Sequence, residues 1–253
     1  MSLSKNKIKY LNSLNLKKNR DKEGVFIAEG VKLVGDLLPY FKAKIIVADA
    51  SCAVADYAKA EELIEVDGID EMKKISALST PSPVYAVFYR PQYSLNIHEC
   101  LKNNELMLAL DSVQDPGNLG TIIRIADWFG IKYILCSKST VDVYNSKTVQ
   151  STMGALARVE VHYVDLAEVI AICKENNFPI YGTFLDGKSV YDRELSAQGI
   201  IVMGNEGNGI SPSIESLITD KLLIPSFPAG SVTSESLNVA VATAIICSEF
   251  RRR

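Results

Sequence analysis

The sequence has few of the residues on which metal and redox chemistry depend. Only His98 and His162 are histidines, and the five cysteines lie far apart without a Cys-x-x-Cys pair. A histidine-based metal site or catalytic triad is therefore disfavoured. Cysteines with this spacing are typical of buried thiols and not of a zinc site or a disulfide framework. We expect no metal cofactor.

Long apolar runs are also missing. No stretch is long enough to span a bilayer, and the first ten residues, MSLSKNKIKY, are polar and basic, unlike the apolar core of a signal peptide. We expect a soluble, cytoplasmic protein with no membrane segment. A Walker-type phosphate loop is absent, because Gly-Lys-Ser/Thr occurs nowhere. At 253 residues and 47% hydrophobic, the chain can bury one large core or two modest ones.

Charge is unevenly distributed along the chain. The net charge is −3, but residues 1–22 carry seven basic side chains against Asp21, which gives +6 there and leaves −9 for the remainder. A basic leading segment on an acidic protein suggests contact with a polyanion. An exposed amphipathic helix with a solvated lysine face explains the same pattern, and both interpretations stay open.

The first part of the chain alternates between helical and strand patterns, which predicts a small α/β domain over residues 1–92. Proline, glutamine, serine and asparagine then break the pattern, which predicts a linker over 93–104. The predicted helices are 4–17, 30–38, 52–62 and 71–78, and the predicted strands are 25–28, 45–48 and 84–89.

A second alternation predicts another α/β domain over residues 105–253. Its strands are almost continuously apolar, which is typical of a mostly parallel sheet covered on both faces. Ligands bind such sheets at the carboxyl ends of the strands. The predicted strands are 106–110, 133–136, 158–162, 180–184, 200–203 and 221–224, and the predicted helices are 118–129, 146–156, 166–176, a short one after 211 and 235–250.

Three of these strands end in unusual polar loops. The first loop (residues 111–118) contains Asp115-Pro116-Gly117-Asn118, and Asn118 is predicted to cap the following helix. In that helix Arg124 points away from the core and lies near the turn. A solvated or salt-bridged surface arginine is the alternative interpretation.

The second loop, the glycine loop (residues 204–209), reads Gly-Asn-Glu-Gly-Asn-Gly, and the third region reads Ser236-Leu237-Asn238. Glycines allow a ligand to approach the main chain closely, although a plain turn is the alternative. The order G-x-x-G-x-G differs from the dinucleotide fingerprint, which disfavours a nucleotide-dependent oxidoreductase. Ser236 is typical of a helix N-cap.

Together, the Asp115–Gly120 segment with Arg124, the glycine loop with Ile210, and Ile224-Pro225 with Ser236–Val239 resemble the three ordered motifs of the SpoU (TrmH) RNA methyltransferases of the SPOUT superfamily. The resemblance covers the whole predicted second domain. It implies an α/β domain with a deep trefoil knot, S-adenosylmethionine held by the knotted loops, and a homodimer that completes the active site. Phe26–Gly30 resembles the small substrate-binding domain of these enzymes, which is similar to RNA-binding ribosomal proteins.

The same resemblance assigns residues to roles. The main chain around Gly204, Ile224 and Leu237 would hold the cofactor, and the loop near Thr183 would contact adenine. Active-site positions are matched by Arg124, Asn118, Glu206, Ser236 and Asn238. The segment 226–235 is longer than in typical members, so that cofactor contacts are expected on Ile224 and Leu237 and not within it.

The implied reaction is methyl transfer from S-adenosylmethionine to a ribose 2′-hydroxyl of ribosomal or transfer RNA, a direct displacement that needs no metal. Forming a neutral guanidine near pH 7 would cost about 7 kcal/mol. We therefore expect Arg124 to stay charged and to bind a phosphate or the developing oxyanion bidentately. Glu206 either anchors the glycine loop through backbone N–H groups or acts in catalysis, and Asn118 and Asn238 orient Arg124 and Glu206.

Two other functions compete with this one. The chain could be an RNA-binding or ribosome-assembly protein whose methyltransferase site has decayed, but intact Asn118, Arg124, Glu206 and Asn238 argue against decay. Within the superfamily a base could be methylated instead of a ribose, although Asn118 with Arg124 resembles the ribose-directed branch. A cofactor-binding assay separates the enzyme from the decayed protein.

Overall fold

The structure is a computed structural model that describes residues 2–52, 55–228, 234 and 236–252. These residues form two compact units. The first contains Met1–Gln92 together with Asp142–Ala157, and the second contains Tyr93–Val141 and Arg158–Arg253. No helix of the described residues is long and apolar enough to cross a membrane.

The described residues contain ten helices and ten strands. The helices are α1 (Lys5–Ser13), α2 (Lys17–Glu23), α3 (Val31–Leu37), α4 (Ile69–Lys73), α5 (Ile97–Lys102), α6 (Pro116–Trp128), α7 (Ser146–Thr152), α8 (Leu166–Glu175), α9 (Pro212–Glu215) and α10 (Val239–Arg252). The strands are β1 (Val25–Glu29), β2 (Ala43–Asp49), β3 (Glu62–Val66), β4 (Val84–Tyr89), β5 (Leu106–Leu110), β6 (Tyr133–Cys136), β7 (Glu160–Tyr163), β8 (Ile180–Ser189), β9 (Gly199–Met203) and β10 (Asp220–Leu223).

The first unit is built on a four-stranded mixed sheet in the order β1-β4-β2-β3. Strand β4 pairs antiparallel with β1 and β2, whereas β3 pairs parallel with β2. Leu11 of helix α1 and its C-cap residue, Leu14, pack in a core with Ile27 and Val47 of the sheet. Helix α7, which lies far along the chain, packs on β1.

The second unit is built on a six-stranded sheet in the order β10-β8-β9-β5-β6-β7, and every pair in it is parallel. Strands β5 and β9 are buried along their whole length, as expected for a sheet covered on both faces. Helix α8 packs on one face through Ile170 and Cys173. On α10, Phe250 meets Tyr181 edge to face at 4.9 Å. The predicted parallel α/β sheet is confirmed, and the trefoil knot stays a prediction.

Several predictions in the first unit were wrong. The expected helix 4–17 ends early, as α1, and a second helix that was not predicted, α2, begins at Lys17; the expected helix 71–78 is the short α4. In place of a helix over 52–62, of which residues 53–54 lie outside the description, short 3₁₀ turns lead into the edge strand β3. Strand β3 is held by backbone pairing with β2 and by Val66, which enters the core.

The boundary between the units also differs from the predicted domain limits. The predicted linker 93–104 contains helix α5, which packs on α8 within the second unit. Residues 142–157, assigned from the sequence to the second domain, belong to the first unit. The periodicity of α7 identifies a helix but does not say which sheet the helix covers.

Candidate functional site

The first loop is held in place by an N-cap at its end. Asp115 caps α6 by accepting a hydrogen bond from the backbone N–H of Asn118 at 2.8 Å, and Pro116 occupies the first turn. Proline is favoured there because its missing N–H costs nothing. The prediction that Asn118 is the cap was wrong. Because Asp115 takes that role, the Asn118 side chain is free to make other contacts.

Asn118 lies between two predicted site residues. Its Nδ2 donates to Glu206 Oε1 at 2.9 Å, and its Oδ1 accepts from Asn238 Nδ2 at 2.9 Å. Asn238 Oδ1 accepts the backbone N–H groups of Ala240 and Val241 at 2.9 and 3.3 Å. Each amide therefore has one orientation that satisfies all partners.

This arrangement also corrects the expected start of the last helix. Helix α10 begins at Val239, and Asn238, not Ser236, supplies the capping oxygen. The expected start at Glu235 lies outside the described residues. Ser236 is exposed and lines the pocket described below.

Glu206 bonds to the first loop and not to its own. Besides Asn118, it accepts long hydrogen bonds from the backbone N–H groups of Gln114 at 3.4 Å and Asp115 at 3.5 Å. Glu206 thereby anchors the glycine loop to the first loop through backbone N–H groups, which is one of the two roles expected for it. Within the glycine loop, Asn205 Oδ1 accepts from Gly207 N and from the next backbone N–H at 2.9 and 3.0 Å. Asn205 was not among the predicted site residues.

The glycine loop is a tight crossing of the backbone. Asn205 and Gly209 exchange two backbone hydrogen bonds of 2.9 and 3.0 Å. A Cβ on Gly204 would lie 2.3 Å from the carbonyl carbon of Gly209 and 2.4 Å from Ile210 N. Ordinary contacts begin near 3.4 Å, so that no other residue fits at position 204 unless the loop moves.

A buried carboxylate links the first loop to the end of the glycine loop. Asp111 is buried directly after β5, and its Oδ2 accepts from the backbone N–H of Ser211 at 2.8 Å. From the other side, Asn205 Nδ2 donates to the carbonyl of Ser112 at 2.7 Å. Asp111 was not among the predicted site residues either, although a charged residue directly after a buried strand is a usable signal.

The loops enclose a pocket of about 640 Å³, which is the size of a small-molecule site. All four predicted cofactor residues line it: Thr183, Gly204, Ile224 and Leu237. Its outer wall is a bulge in β8, because β10 pairs with Gly182 and then directly with Lys188. The bulge turns Thr183 toward β9, where Thr183 Oγ1 donates to the Val202 carbonyl at 3.4 Å.

Charged lining residues are all acidic. Asp186, Glu206 and Glu215 line the pocket, and no lysine or arginine does so among the described residues. Lys221 bonds Glu215 at 2.6 Å and Asp186 at 3.2 Å, whereas Glu206 has no cationic partner in the described part of the chain. The pocket wall is therefore net negative.

Arg124 is the one predicted site residue that does not join this group. It is exposed on α6, does not line the pocket, and has no hydrogen bond or ion pair to any described residue. The structure thus joins Asn118 and Asn238 by hydrogen bonds to Glu206, which lines the pocket, and leaves Arg124 on the outer surface of α6. In the described ranges no three His, Cys, Asp or Glu side chains cluster as metal ligands do.

Comparison with known proteins assigns the family. A model of the SpoU rRNA methylase family matches residues 105–248, and a model of the MRM3-like substrate binding domain matches residues 5–86. The chain belongs to the SpoU rRNA methylase family.

Proteins that match this chain over nearly its whole length include methyltransferases of the same kind. The 23S rRNA (guanosine(2553)-2′-O)-methyltransferase RlmP of Bacillus subtilis is 30% identical, over 99% of this chain and 98% of its own length. A TrmH-family protein from Porphyromonas gingivalis has a TM-score of 0.88 and 42% identity, over 100% of this chain and 99% of its own. An AdoMet-bound rRNA methyltransferase from Sinorhizobium meliloti has a TM-score of 0.84 and 29% identity, over 100% and 96%.

Proposed function

We propose that this protein transfers the methyl group of S-adenosylmethionine to a ribose 2′-hydroxyl of ribosomal RNA. The observation that carries the proposal is the chain of hydrogen bonds from Asn238 through Asn118 to Glu206, which lines the pocket. A site that had lost its activity would not be expected to retain this aligned set of side chains. A ribosomal substrate also fits the cytoplasmic location expected from the sequence.

The pocket suits the cofactor in shape and in charge. A Cβ at Gly204 would meet the main chain, and all six residues of the glycine loop line the pocket. S-adenosylmethionine carries a positive sulfonium, which a net negative wall attracts. We propose that the main chain around Gly204, Ile224 and Leu237 binds the cofactor and that the β8 bulge at Thr183 contacts its adenine.

The protein must align the hydroxyl with the methyl group and help the hydroxyl lose its proton. We assign the proton transfer to Glu206, whose carboxylate lines the pocket and is oriented by Asn118. Asn238 orients Asn118 in turn. Arg124 stays charged and binds the adjacent phosphate or the developing oxyanion through its planar fork. Ser236 lies at the pocket mouth, where its hydroxyl can bind RNA or cofactor.

We propose that a second copy of the chain completes the site. Helices α6 and α10 lie side by side, since Asn118 bonds Asn238 near their starts and Arg251 Nε donates to the Phe129 carbonyl at 2.8 Å near their ends. Each helix exposes one large apolar side chain, Trp128 at 85% on α6 and Val241 at 50% on α10. Tryptophan in particular is enriched at protein interfaces.

Arg124 lies one helical turn before Trp128 on this outer surface, so that burying Trp128 in a dimer interface would bury Arg124 as well. Because the Arg124 side chain bonds to no described residue of its own chain, it would then be available to the partner's pocket. This is the physical reason to expect a homodimer as the active form.

RNA would be held by the first unit, which the substrate-binding model matches. Of its leading basic residues, Lys7, Lys17 and Arg20 form ion pairs with Glu62, Asp21 and Asp142. Four exposed lysines have no ion pair among the described residues and remain available to phosphates: Lys5, Lys9, Lys18 and Lys22. Contacts of this kind are largely independent of RNA sequence.

The proposal is tested with cofactor carrying a tritiated methyl group. The purified protein is incubated with protein-free ribosomal RNA, and in parallel with transfer RNA, from cells that lack the gene. We expect label in ribosomal RNA only. Label in transfer RNA would keep the chemistry and change the substrate. Tight RNA binding without cofactor binding would instead support the assembly protein with a decayed site.

A further inference from the structure

The turn after β6 (residues 137–141) is tied to the first loop. Its Ser137 N–H donates to the Leu110 carbonyl at 3.0 Å, and Ser137 Oγ accepts from Ser112 N at 2.9 Å. At the end of the turn, Val141 N donates to the Val113 carbonyl at 2.9 Å. The turn therefore behaves as an extension of the loop that carries Asn118, and all of these residues belong to the second unit.

The next residue along the chain is anchored in the first unit. Asp142 Oδ2 bonds Arg20 at 2.8 Å, and the Arg20 side chain is only 3% exposed. The same guanidinium donates to the carbonyls of Leu14 and Asn15 at 3.0 and 2.8 Å. A buried ion pair with these added hydrogen bonds has a defined geometry, and removal of one charge leaves the other uncompensated.

The residues after Asp142 make further packing contacts within the first unit. Tyr144 packs on Phe26 of β1 with ring centroids 5.3 Å apart, and the Arg90 guanidinium lies 4.5 Å from the centre of the Tyr144 ring. Helix α7 then packs on β1. The segment from 142 to 157 is thus built into the core of the first unit.

We propose that Asp142 is a positioning residue for methyl transfer. One peptide bond separates its ion pair with Arg20 in the first unit from the Val141–Val113 hydrogen bond that holds the first loop. The ion pair with Arg20 therefore fixes the residue that follows the turn 137–141, and that turn holds the first loop, which carries Asn118. This inference rests on the proposed function, because it assumes that Asn118 belongs to the site of methyl transfer.

The test is Asp142→Asn in the full-length protein. The variant keeps an oxygen for the Tyr144 N–H, which Asp142 Oδ1 accepts at 3.0 Å, and loses the charge that faces Arg20. With RNA and cofactor both saturating, we expect the single-turnover methylation rate to fall about tenfold, since small misplacements cost up to about a hundredfold. The number of cofactor sites per chain should be unchanged, and the dissociation constants for cofactor and for RNA should stay within about threefold. Loss of folded protein would instead lower the number of cofactor sites.

The matched control is Glu23→Gln. It breaks the Lys44–Glu23 ion pair of 2.6 Å in the same unit; the Glu23 carboxylate bonds Lys44 and Tyr10 and not Arg20, so that this variant should methylate at the wild-type rate. A second variant, Arg20→Lys, keeps the charge but loses the fork. It should slow the reaction in the same direction, and it replaces Asp142→Asn if that protein does not fold.

Hydrogen exchange supplies a readout that needs no activity. Amides of residues 137–141 should exchange faster in Asp142→Asn and unchanged in Glu23→Gln. Unchanged exchange, an unchanged rate, or a rate loss explained entirely by weaker RNA binding would each overturn the positioning role. Failure of the wild-type protein to methylate any RNA would refute the proposed function instead, and the exchange comparison would still decide whether Asp142 holds the turn.

Discussion

Replacing Gly204 by alanine should weaken cofactor binding severely. The added methyl group would lie 2.3 Å from Gly209 C and 2.4 Å from Ile210 N, so that the loop must move by about 1 Å to reach ordinary contact. Overpacking of this kind costs about 1–3 kcal/mol. Weakening the two backbone hydrogen bonds between Asn205 and Gly209 by about half each adds about 1 kcal/mol.

A total of about 2–4 kcal/mol corresponds to a dissociation constant about 30-fold to 700-fold higher, if the loop must regain its native shape to bind. Isothermal titration calorimetry with S-adenosylmethionine measures this directly. Gly207→Ala is the matched control, because a Cβ there has only one neighbour, Asn205 Oδ1 at 3.6 Å, and it should bind within about threefold of wild type. Wild-type affinity in Gly204→Ala, or an equal loss in the control, would refute the reasoning.

Four further predictions concern single residues. Arg124→Lys should lose at least about tenfold in kcat with unchanged cofactor affinity, because lysine lacks the fork; near-full activity would contradict the bidentate role. Trp128→Glu should sediment as a monomer that still binds cofactor but methylates poorly, and a stable dimer would exclude this face as the interface. Asn238→Ala removes the α10 cap, worth about 1 kcal/mol, and should lower the Tm by about 2–4 °C as well as kcat; an unchanged Tm would contradict the cap. Burial lowers the pKa of His162 from its ordinary 6.5, and Glu160 opposes this only in part. The unfolded chain then binds the proton more readily, so that the free energy of unfolding should fall as pH drops below about 6.5, and His162→Asn should flatten that dependence in denaturant titrations.

Much of the second unit could be predicted from its sequence because its signals are local. Strand β6 and helix α8 follow from short apolar and amphipathic patterns, and the β5 strand with the polar turn after it locates the site. The cap was misjudged because Asn118 and Asp115 are both good capping residues. Proline at the next position favours Asp115, since it fits the first turn of a helix.

Other features depend on contacts that no local pattern reveals. Strand β3 is fixed by its pairing with β2, and the membership of α7 in the first unit is fixed by packing on β1. Asn205 resembles any turn asparagine until its hydrogen bonds to Ser112 and to the glycine loop are known. The grouping of Asn118, Glu206 and Asn238, far apart in sequence, followed only from the family resemblance.

The central claim is that the methyl group goes to a ribose hydroxyl. Ribosomal RNA labelled by the protein with tritiated S-adenosylmethionine can be digested with alkali, which cleaves only next to a free 2′-hydroxyl. We expect the label to be recovered in an alkali-resistant dinucleotide. Gly204→Ala should produce little of this dinucleotide when the concentration of S-adenosylmethionine is below the variant's raised dissociation constant. Label released as a mononucleotide with a methylated base would contradict the account.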